Sequence, residues 1–223
     1  MAEIIVALDV PTAADADRLL GRIPEAGWVK VGSILMTREG PAFVRRLVAA
    51  GLDVFLDLKW HDIPNTVAGA VAAARDIGVA MATVHALGGR AMMAAAAEAA
   101  GDMTLVGVTV LTSHGAEGFA RAVGRDGVTI EDEVARLAGE AFEAGLDGIV
   151  CSPQEIERVR SVAPRGAAIV VPGIRRREDA AGDQVRLADP GTARARGATH
   201  LVVGRPILSA ADPAAVLREM SLR

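Results

Sequence analysis

The most chemically suggestive stretch of the sequence runs from Asp57 to Asp62, where two carboxylates flank a lysine. Asp57 and Lys59 are two residues apart at the end of an apolar run, so a β-strand would turn both side chains to the same face. Lys30 ends a neighbouring apolar run and could reach them. We therefore predict an array of two ammonium groups and two carboxylates, formed by Lys30, Asp57, Lys59 and Asp62, that could stabilise negative charge and deliver a proton.

A structural network of ion pairs is the alternative interpretation of these charges. Four charged groups at the mouth of a fold are costly to desolvate, which makes stability alone a weak reason to keep them. The basic residues of the chain also favour a functional role, since 22 of the 24 are arginines and the two lysines are Lys30 and Lys59. Lysine, unlike arginine, can donate a proton at a tunable pH. Function is therefore favoured over a purely structural role.

Arginine and glycine dominate a second candidate site near the end of the chain. The run Arg175–Arg177 follows Gly173 and leads toward Gln184, and a late apolar run delivers Gly204 and Arg205. Arginine side chains and exposed backbone N–H groups are common ligands of phosphate. The pattern predicts a phosphate-binding site, with a solvated surface run as the more common role of adjacent arginines taken alone.

Other reactive side chains carry weaker signals. Thr112 and Ser113 could offer hydroxyl groups to a ligand or cap the segment that follows. Cys151 follows a buried strand and has no obvious histidine partner, so we expect an inert core thiol. The four histidines lack the spacing of metal ligands, and no serine lies in a nucleophile-elbow motif.

Eight short apolar runs, each followed by a turn and a helix-period segment, must position these groups. Because the runs are continuous rather than alternating, they are typical of parallel strands covered on both faces. The repeating order predicts an α/β fold, a closed (β/α)8 TIM barrel forming a single domain over residues 1–223, with its active site at the carboxyl ends of the strands. A doubly wound open sheet would need a glycine-rich turn after the first strand, which Leu8–Pro11 lacks. The predicted strands are Ile4–Leu8, Trp28–Val31, Val54–Leu58, Ala82–His85, Leu105–Leu111, Gly148–Cys151, Ala168–Val171 and Leu201–Val203.

Composition and charge disfavour several classes of function. Hydrophobic residues make up 51% of the chain, charged residues 23%, and the formal net charge is -4. An acidic chain with interspersed charges is a poor match for nucleic-acid binding driven by phosphate neutralisation. The longest apolar runs are strand-sized, so we expect no membrane span. A single cysteine and the lack of an apolar leader after Met1 favour a cytoplasmic location.

The order and spacing of these segments closely resemble the orotidine 5'-phosphate decarboxylase family. The resemblance covers the whole chain and centres on Asp57-x-Lys59-x-x-Asp62, followed by Ile63–Thr66. Each segment is short, but together and in this order they are highly specific. The other matching segments are Ala7–Asp9, Val29–Gly32, Leu111–Ser113, Pro172–Arg175, Gly182–Gln184 and Val203–Pro206.

The resemblance implies decarboxylation of orotidine 5'-monophosphate to UMP and CO2, the last step of pyrimidine nucleotide synthesis, without a metal or organic cofactor. It implies that Lys59 donates the proton, assisted by Lys30, Asp57 and Asp62. It also implies a homodimer in which Asp62 and Thr66 enter the partner's active site. The substrate contacts that it implies are Asp9, Lys30 and Thr66 for the ribose, Thr112 or Ser113 for the pyrimidine, and Arg175, Gln184, Gly204 and Arg205 for the phosphate, together with Ile63 and Pro172.

Two other functions remain open. A related branch of sugar-phosphate decarboxylases and hexulose phosphate synthases shares the Asp-x-Lys-x-x-Asp strand but works with Mg²⁺, and has an acidic ligand where this chain has Lys30. A lysine there repels the metal ion, and Ile63–Thr66 also argues against that branch. The second alternative is a barrel that has lost activity and binds only a nucleotide or a protein. The presence of all four charged residues argues against this alternative, because loss of any one of them would reduce the cost of desolvating the array.

Overall fold

Eight parallel strands close into a barrel in the part of the chain that the structure describes. The computed structural model describes residues 2–176 and 186–222. Its strands are β1 Glu3–Ala7, β2 Trp28–Gly32, β3 Asp53–Trp60, β4 Met81–His85, β5 Thr104–Val108, β6 Gly148–Val150, β7 Ala168–Val171 and β8 His200–Val203. Each strand pairs in parallel with the next, and β8 pairs with β1 to close the ring. The predicted (β/α)8 barrel is confirmed.

Helices alternate with the strands and cover the outside of the barrel. Within the described residues they are α1 Ala13–Leu20, α2 Ser33–Ala49, α3 Pro64–Ile77, α4 Gly89–Ala100, α5 Ala116–Val123, α6 Ile130–Glu143, α7 Ile156–Arg160, α8 Pro190–Ala195, α9 Arg205–Leu208 and α10 Pro213–Leu222. Thr12 caps α1 by accepting a hydrogen bond from the Asp15 N–H, and Pro64 is the first residue of α3. None of these helices combines the length and the apolar character that crossing a membrane requires.

Alternate residues of the strands separate an inner core from an outer core. The inner core fills the barrel and consists of Ile5, Ala7, Phe55, Met81, Val106, Val170 and Val202. Neighbouring strand residues such as Val6, Val54 and Leu56 belong to the larger cluster that packs against the helices. Burial of both strand faces explains why the apolar runs of the sequence are continuous. Because Phe55 lies on the inner face, Asp57 lies on that face as well.

Most strand ends lie within one residue of the prediction, and the carboxyl ends of β3 and β5 differ by more. β3 continues past Leu58 to Trp60, because its pairing with β4 resumes at Trp60 after a shift in register. β5 ends at Val108 rather than at Leu111. The carbonyl of Leu111 accepts a hydrogen bond from the Arg186 side chain instead of continuing a strand ladder. Both departures occur at the carboxyl end of the barrel, where the candidate site lies.

Candidate active site

A cavity of about 470 Å³ opens at the carboxyl ends of the strands. Its floor is the inner core, represented by Ala7, Phe55 and Val202. Polar and charged groups line the walls above this floor, and the size suits a small organic ligand. The wall includes Asp9, Lys30, Asp57, Lys59, Thr112, Pro172, Gly173, Arg175, Gly204 and Arg205.

Four of these side chains form a line of alternating charge across one wall. Lys30 Nζ lies 2.9 Å from Asp9 Oδ1 and 3.6 Å from Asp57 Oδ2. Lys59 Nζ lies 2.8 Å from Asp57 Oδ1. The Lys30 and Asp57 side chains are only 11% and 13% exposed. The Lys59 side chain, which lines the cavity, is 37% exposed. Of the two lysines, Lys59 is therefore the one better able to touch a bound ligand.

The backbone at Lys59 departs from an ordinary strand. Leu56 pairs with Ala82 and Trp60 pairs with Val84, so β3 uses more residues than β4 over this stretch. Lys59 adopts φ 52°, in the left-handed region, and its N–H donates to the Thr83 hydroxyl at 2.8 Å. The same hydroxyl donates to Asp57 Oδ1 at 3.1 Å. Lys59 and Asp57 thus meet as the sequence predicts, but through a bulge that Thr83 supports.

Asp57 is ionised in this environment. Burial by itself would raise the pKa of Asp57, but the positive charges of Lys59 and Lys30 outweigh burial. Hydrogen bonds from Lys59 and Thr83 act in the same direction, so the pKa of Asp57 lies below its ordinary value. The carboxylate stays negative at neutral pH and fixes the position of both ammonium groups.

The part of the cavity wall that follows β7 and β8 carries the residues predicted to hold phosphate, and β8 pairs with β1, the strand that leads to Asp9. Arg175 is 8% exposed, and its Nη1 donates to the Ile174 carbonyl at 2.8 Å. A parallel bridge between Ile174 and Ala188 holds this wall in place, and the turn before it uses Gly173 at φ 77°, which favours glycine. Gly204 and Arg205 lie at the end of β8 and also line the cavity. Gln184, with Gly182 and Asp183, lies outside the described residues.

Within a single chain, Asp62, the fourth predicted charged residue, lies apart from the line of alternating charges. Asp62 accepts a hydrogen bond from the Ile63 N–H at 2.6 Å and has no ion pair within the described ranges. All six residues from His61 to Thr66 are exposed, and Asp62, Ile63 and Thr66 are absent from the cavity wall. Ser113 is also exposed and outside the wall, whereas its neighbour Thr112 lines it.

Histidine and cysteine side chains surround the site without forming a metal centre. His85 stacks on His61 with ring centroids 5.5 Å apart, and burial, followed by the charges of His61 and Lys59, lowers the pKa of His85 to about 4. The Cys151 thiol lies in the cavity wall, where burial raises its pKa far above the ordinary range and keeps it protonated. Across residues 2–176 and 186–222, no group of three or more His, Cys, Asp or Glu is arranged to hold a metal ion.

Three residues that support the site were missed by the sequence analysis. Thr83 is fully buried, and a polar residue inside an otherwise apolar strand was a usable signal. Glu155 and Arg186 form a buried ion pair at 2.6 Å. No local pattern marks this pair, because its members are 31 positions apart in the chain.

Comparison with known proteins decides which family has this arrangement. The profile of the "Orotidine 5'-phosphate decarboxylase / HUMPS family" matches residues 2–220. The chain belongs to this family. The orotidine 5'-phosphate decarboxylase of Halorhodospira halophila is 52% identical over 217 residues, covering 95% of this chain and 91% of that protein. The orotidine 5'-phosphate decarboxylase of Alkalilimnicola ehrlichii is 50% identical over 222 residues, covering 97% of this chain and 94% of that protein.

A solved structure of the orotidine 5'-phosphate decarboxylase family has the same fold. The crystal structure of orotidine 5'-phosphate decarboxylase from Lactobacillus acidophilus matches with a TM-score of 0.88 at 33% identity, covering 100% of this chain and 98% of that one. The resemblance seen in the sequence is confirmed. Because the family name joins decarboxylases with HUMPS proteins, the residues of the cavity must separate the two activities.

Proposed function

We propose that the protein decarboxylates orotidine 5'-monophosphate to UMP and CO2, the final step of UMP biosynthesis, in the cytoplasm. The observation that carries this proposal is the line of alternating charges formed by Asp9, Lys30, Asp57 and Lys59 at the mouth of the barrel. The relatives at 52% and 50% identity are named orotidine 5'-phosphate decarboxylases, which supports this substrate.

The chemistry requires stabilisation of a carbanion. When the bond between C6 of the pyrimidine and its carboxylate breaks, the electron pair stays on C6 in the plane of the ring, and CO2 departs. A cation placed at C6 stabilises this charge as it develops. Lys59 is the more exposed of the two lysines in the wall and would supply both the positive charge and the proton that C6 receives. Asp57, held ionised, would position Lys59 and lie next to the departing carboxylate.

The rest of the substrate would span the cavity. Arg175, Gly204 and Arg205, which follow β7 and β8, would bind the phosphate, and Gln184 and Pro172 complete the predicted contacts on that side. Binding energy from the distant phosphate can serve to orient the ring and exclude water.

The ribose and the pyrimidine would lie nearer the charged wall. Asp9 and Lys30 would bind the ribose hydroxyls. Thr112 is favoured over Ser113 for the pyrimidine edge, because Thr112 lines the cavity and Ser113 does not.

A homodimer would complete the charge array. Asp62 belongs to an exposed segment directly after β3, and its neighbour Ile63 leaves 66% of its surface exposed. The exposure of the whole segment from His61 to Thr66 leaves it accessible to a second subunit. We propose that Asp62, Ile63 and Thr66 enter the site of the partner subunit, where Asp62 would join Lys30, Asp57 and Lys59.

Lys30 favours this reaction over a metal-dependent one. Its Nζ atom lies between the carboxylates of Asp9 and Asp57, at 2.9 Å and 3.6 Å. An ammonium group at this position neutralises the oxygens that a Mg²⁺ ion would need and repels the ion. We therefore propose that the reaction needs no metal or organic cofactor.

Direct assay tests the proposal. The purified protein is incubated with orotidine 5'-monophosphate, with and without EDTA, while ultraviolet absorbance and CO2 release are followed. We expect turnover that EDTA leaves unchanged, and a Lys59→Ala variant that still folds and binds UMP but loses turnover. A folded wild-type protein that binds UMP without turnover would instead support a nucleotide-binding role. Turnover abolished by EDTA would contradict the cofactor-free reaction.

A further inference from the structure

A buried ion pair outside the line of catalytic charges joins three of the loops around the cavity. Arg186 Nη1 lies 2.6 Å from Glu155 Oε1, with side-chain exposures of 6% and 1%. Glu155 Oε2 accepts hydrogen bonds from both the N–H and the hydroxyl of Ser152, which follows the wall residue Cys151. The pair therefore fixes the end of β6 to the segment that leads into α8.

The same arginine also holds the pyrimidine side of the cavity. Arg186 Nη2 donates to the Leu111 carbonyl at 3.0 Å, immediately before Thr112, and lies 3.4 Å from the Val110 carbonyl. Val110, Leu111 and Thr112 all line the cavity. Because β5 ends at Val108, strand pairing does not fix Val110 and Leu111, and the Leu111 carbonyl accepts from the His114 N–H at 3.0 Å as well as from Arg186.

A continuous path leads from this contact to the phosphate side. The Arg175 N–H donates to the Ala188 carbonyl at 3.0 Å, and the Ala188 N–H donates back to Gly173 at 3.4 Å. Ala188 is two residues from Arg186 in the chain. A shift of Arg175 on binding an anion would therefore move a short, hydrogen-bonded segment whose other end contacts Leu111.

We infer that the ion pair of Arg186 and Glu155 is a positioning device. It couples the binding of an anion at Arg175 to the placement of Thr112 against the ring of the ligand. The inference rests on the proposed function for the identity of that ligand. Stability alone is a weak reason for the pair, since buried ion pairs often stabilise a fold no better than apolar residues of similar size. Coupling between two sites is measurable as a ratio of affinities.

The test compares UMP with uridine, which lacks the phosphate, in the wild-type protein and in the double variant Arg186→Met/Glu155→Leu. Replacing both partners avoids leaving a single buried charge. We expect the variant to fold, the ratio of the uridine Kd to the UMP Kd to fall about 10-fold, and kcat/KM for orotidine 5'-monophosphate to fall at least as much. A folded variant with an unchanged ratio would overturn the inference.

Matched variants separate positioning from general loss of stability. Arg136→Met/Glu133→Leu removes another pair with a buried glutamate, also at 2.6 Å, away from the cavity wall, and should leave the ratio unchanged. If the double variant at Arg186 fails to fold, Arg186→Lys takes its place, because lysine keeps the charge but cannot serve both Glu155 and Leu111 with a planar fork. An unchanged ratio in that folded variant would equally overturn the inference.

The two proposals fail in different ways. A wild-type protein that binds UMP without turnover overturns the decarboxylase function, while the affinity ratio still tests the coupling. Full turnover with an unchanged ratio overturns the coupling alone. A wild-type protein that binds neither UMP nor uridine overturns both.

Discussion

Lys59 Nζ lies 2.8 Å from Asp57 Oδ1, although the backbone of Lys59 is left-handed at φ 52°. Such a backbone is costly for any residue with a Cβ atom, and it persists only where the surroundings fix it. Here the buried hydroxyl of Thr83 binds both the Lys59 N–H and the Asp57 carboxylate. The position of the proposed proton donor therefore depends on a residue of the next strand.

Thr83→Val should weaken turnover by displacing Lys59. The substitution keeps the shape of the side chain but leaves the Lys59 N–H without its acceptor and removes one hydrogen bond to Asp57. We expect kcat to fall about 10-fold with a smaller change in KM, and the free energy of unfolding to fall by about 1–3 kcal/mol. Steady-state kinetics and denaturant unfolding measure both effects. Thr83→Ser, which keeps the hydroxyl, is the control, and wild-type kcat in Thr83→Val would refute this role.

Chemical labelling should distinguish the two lysines. They are the only lysines of the chain, and their side chains are 37% exposed for Lys59 and 11% exposed for Lys30. We expect an amine-acylating reagent to modify Lys59 at least about threefold faster, because burial between Asp9 and Asp57 limits access of the reagent to Lys30. Peptide mass spectrometry measures the rates, loss of activity should follow the labelling of Lys59, and UMP should protect it. Faster labelling of Lys30 would contradict the geometry of the wall.

His85 should make the fold sensitive to mild acid. Burial, and then the charges of His61 and Lys59, lower the pKa of His85 to about 4 from an ordinary 6.5. The unfolded chain binds this proton more readily, so the contribution to stability is complete above pH 6.5 and is lost as the pH falls toward 4. His85→Gln should reduce the loss of unfolding free energy between pH 7 and pH 4 by ~1–2 kcal/mol after solvent screening. Denaturant titrations at each pH measure the unfolding free energy, and an identical pH dependence in the wild-type protein and the variant would exclude the effect.

The sequence was sufficient for the features that follow from periodicity. Continuous apolar runs predicted the barrel, and the spacing of Asp57 and Lys59 predicted that both side chains face its interior, where both line the cavity. The end of β2 placed Lys30 beside Asp57, because neighbouring parallel strands end at the same face of the barrel. These are local properties of each strand, so they can be predicted without knowledge of the tertiary contacts.

Contacts between distant segments could not be predicted in this way. The register shift opposite Val84 depends on how β3 packs against β4, and simple alternation along β3 does not show it. The contact of Arg186 with Leu111 joins two loops and ends β5 early. The continuous apolar run predicts a strand as far as Leu111, whereas contacts outside the run decide where the strand stops.

The exposed position of Asp62 leads to a test of the proposed shared site. If Asp62 acts in the partner's site, a dimer of one Lys59→Ala chain and one Asp62→Ala chain contains one intact site, with Lys59 from one subunit and Asp62 from the other. Random association makes half of the dimers mixed, so two inactive proteins, combined by co-expression, should recover about a quarter of wild-type activity.

The matched control for this experiment combines Lys59→Ala with Lys30→Ala. Lys30 and Asp57 are 3.6 Å apart within one chain, and Asp57 also binds Lys59, so these two lysines must act in the same subunit. Mixed dimers of this second pair contain two damaged sites and should recover no activity. Recovery in the first mixture but not in the second would require a site built from two chains. Failure of both mixtures to recover activity, with mixed dimers present, would mean that Asp62 acts within its own subunit or has no catalytic role.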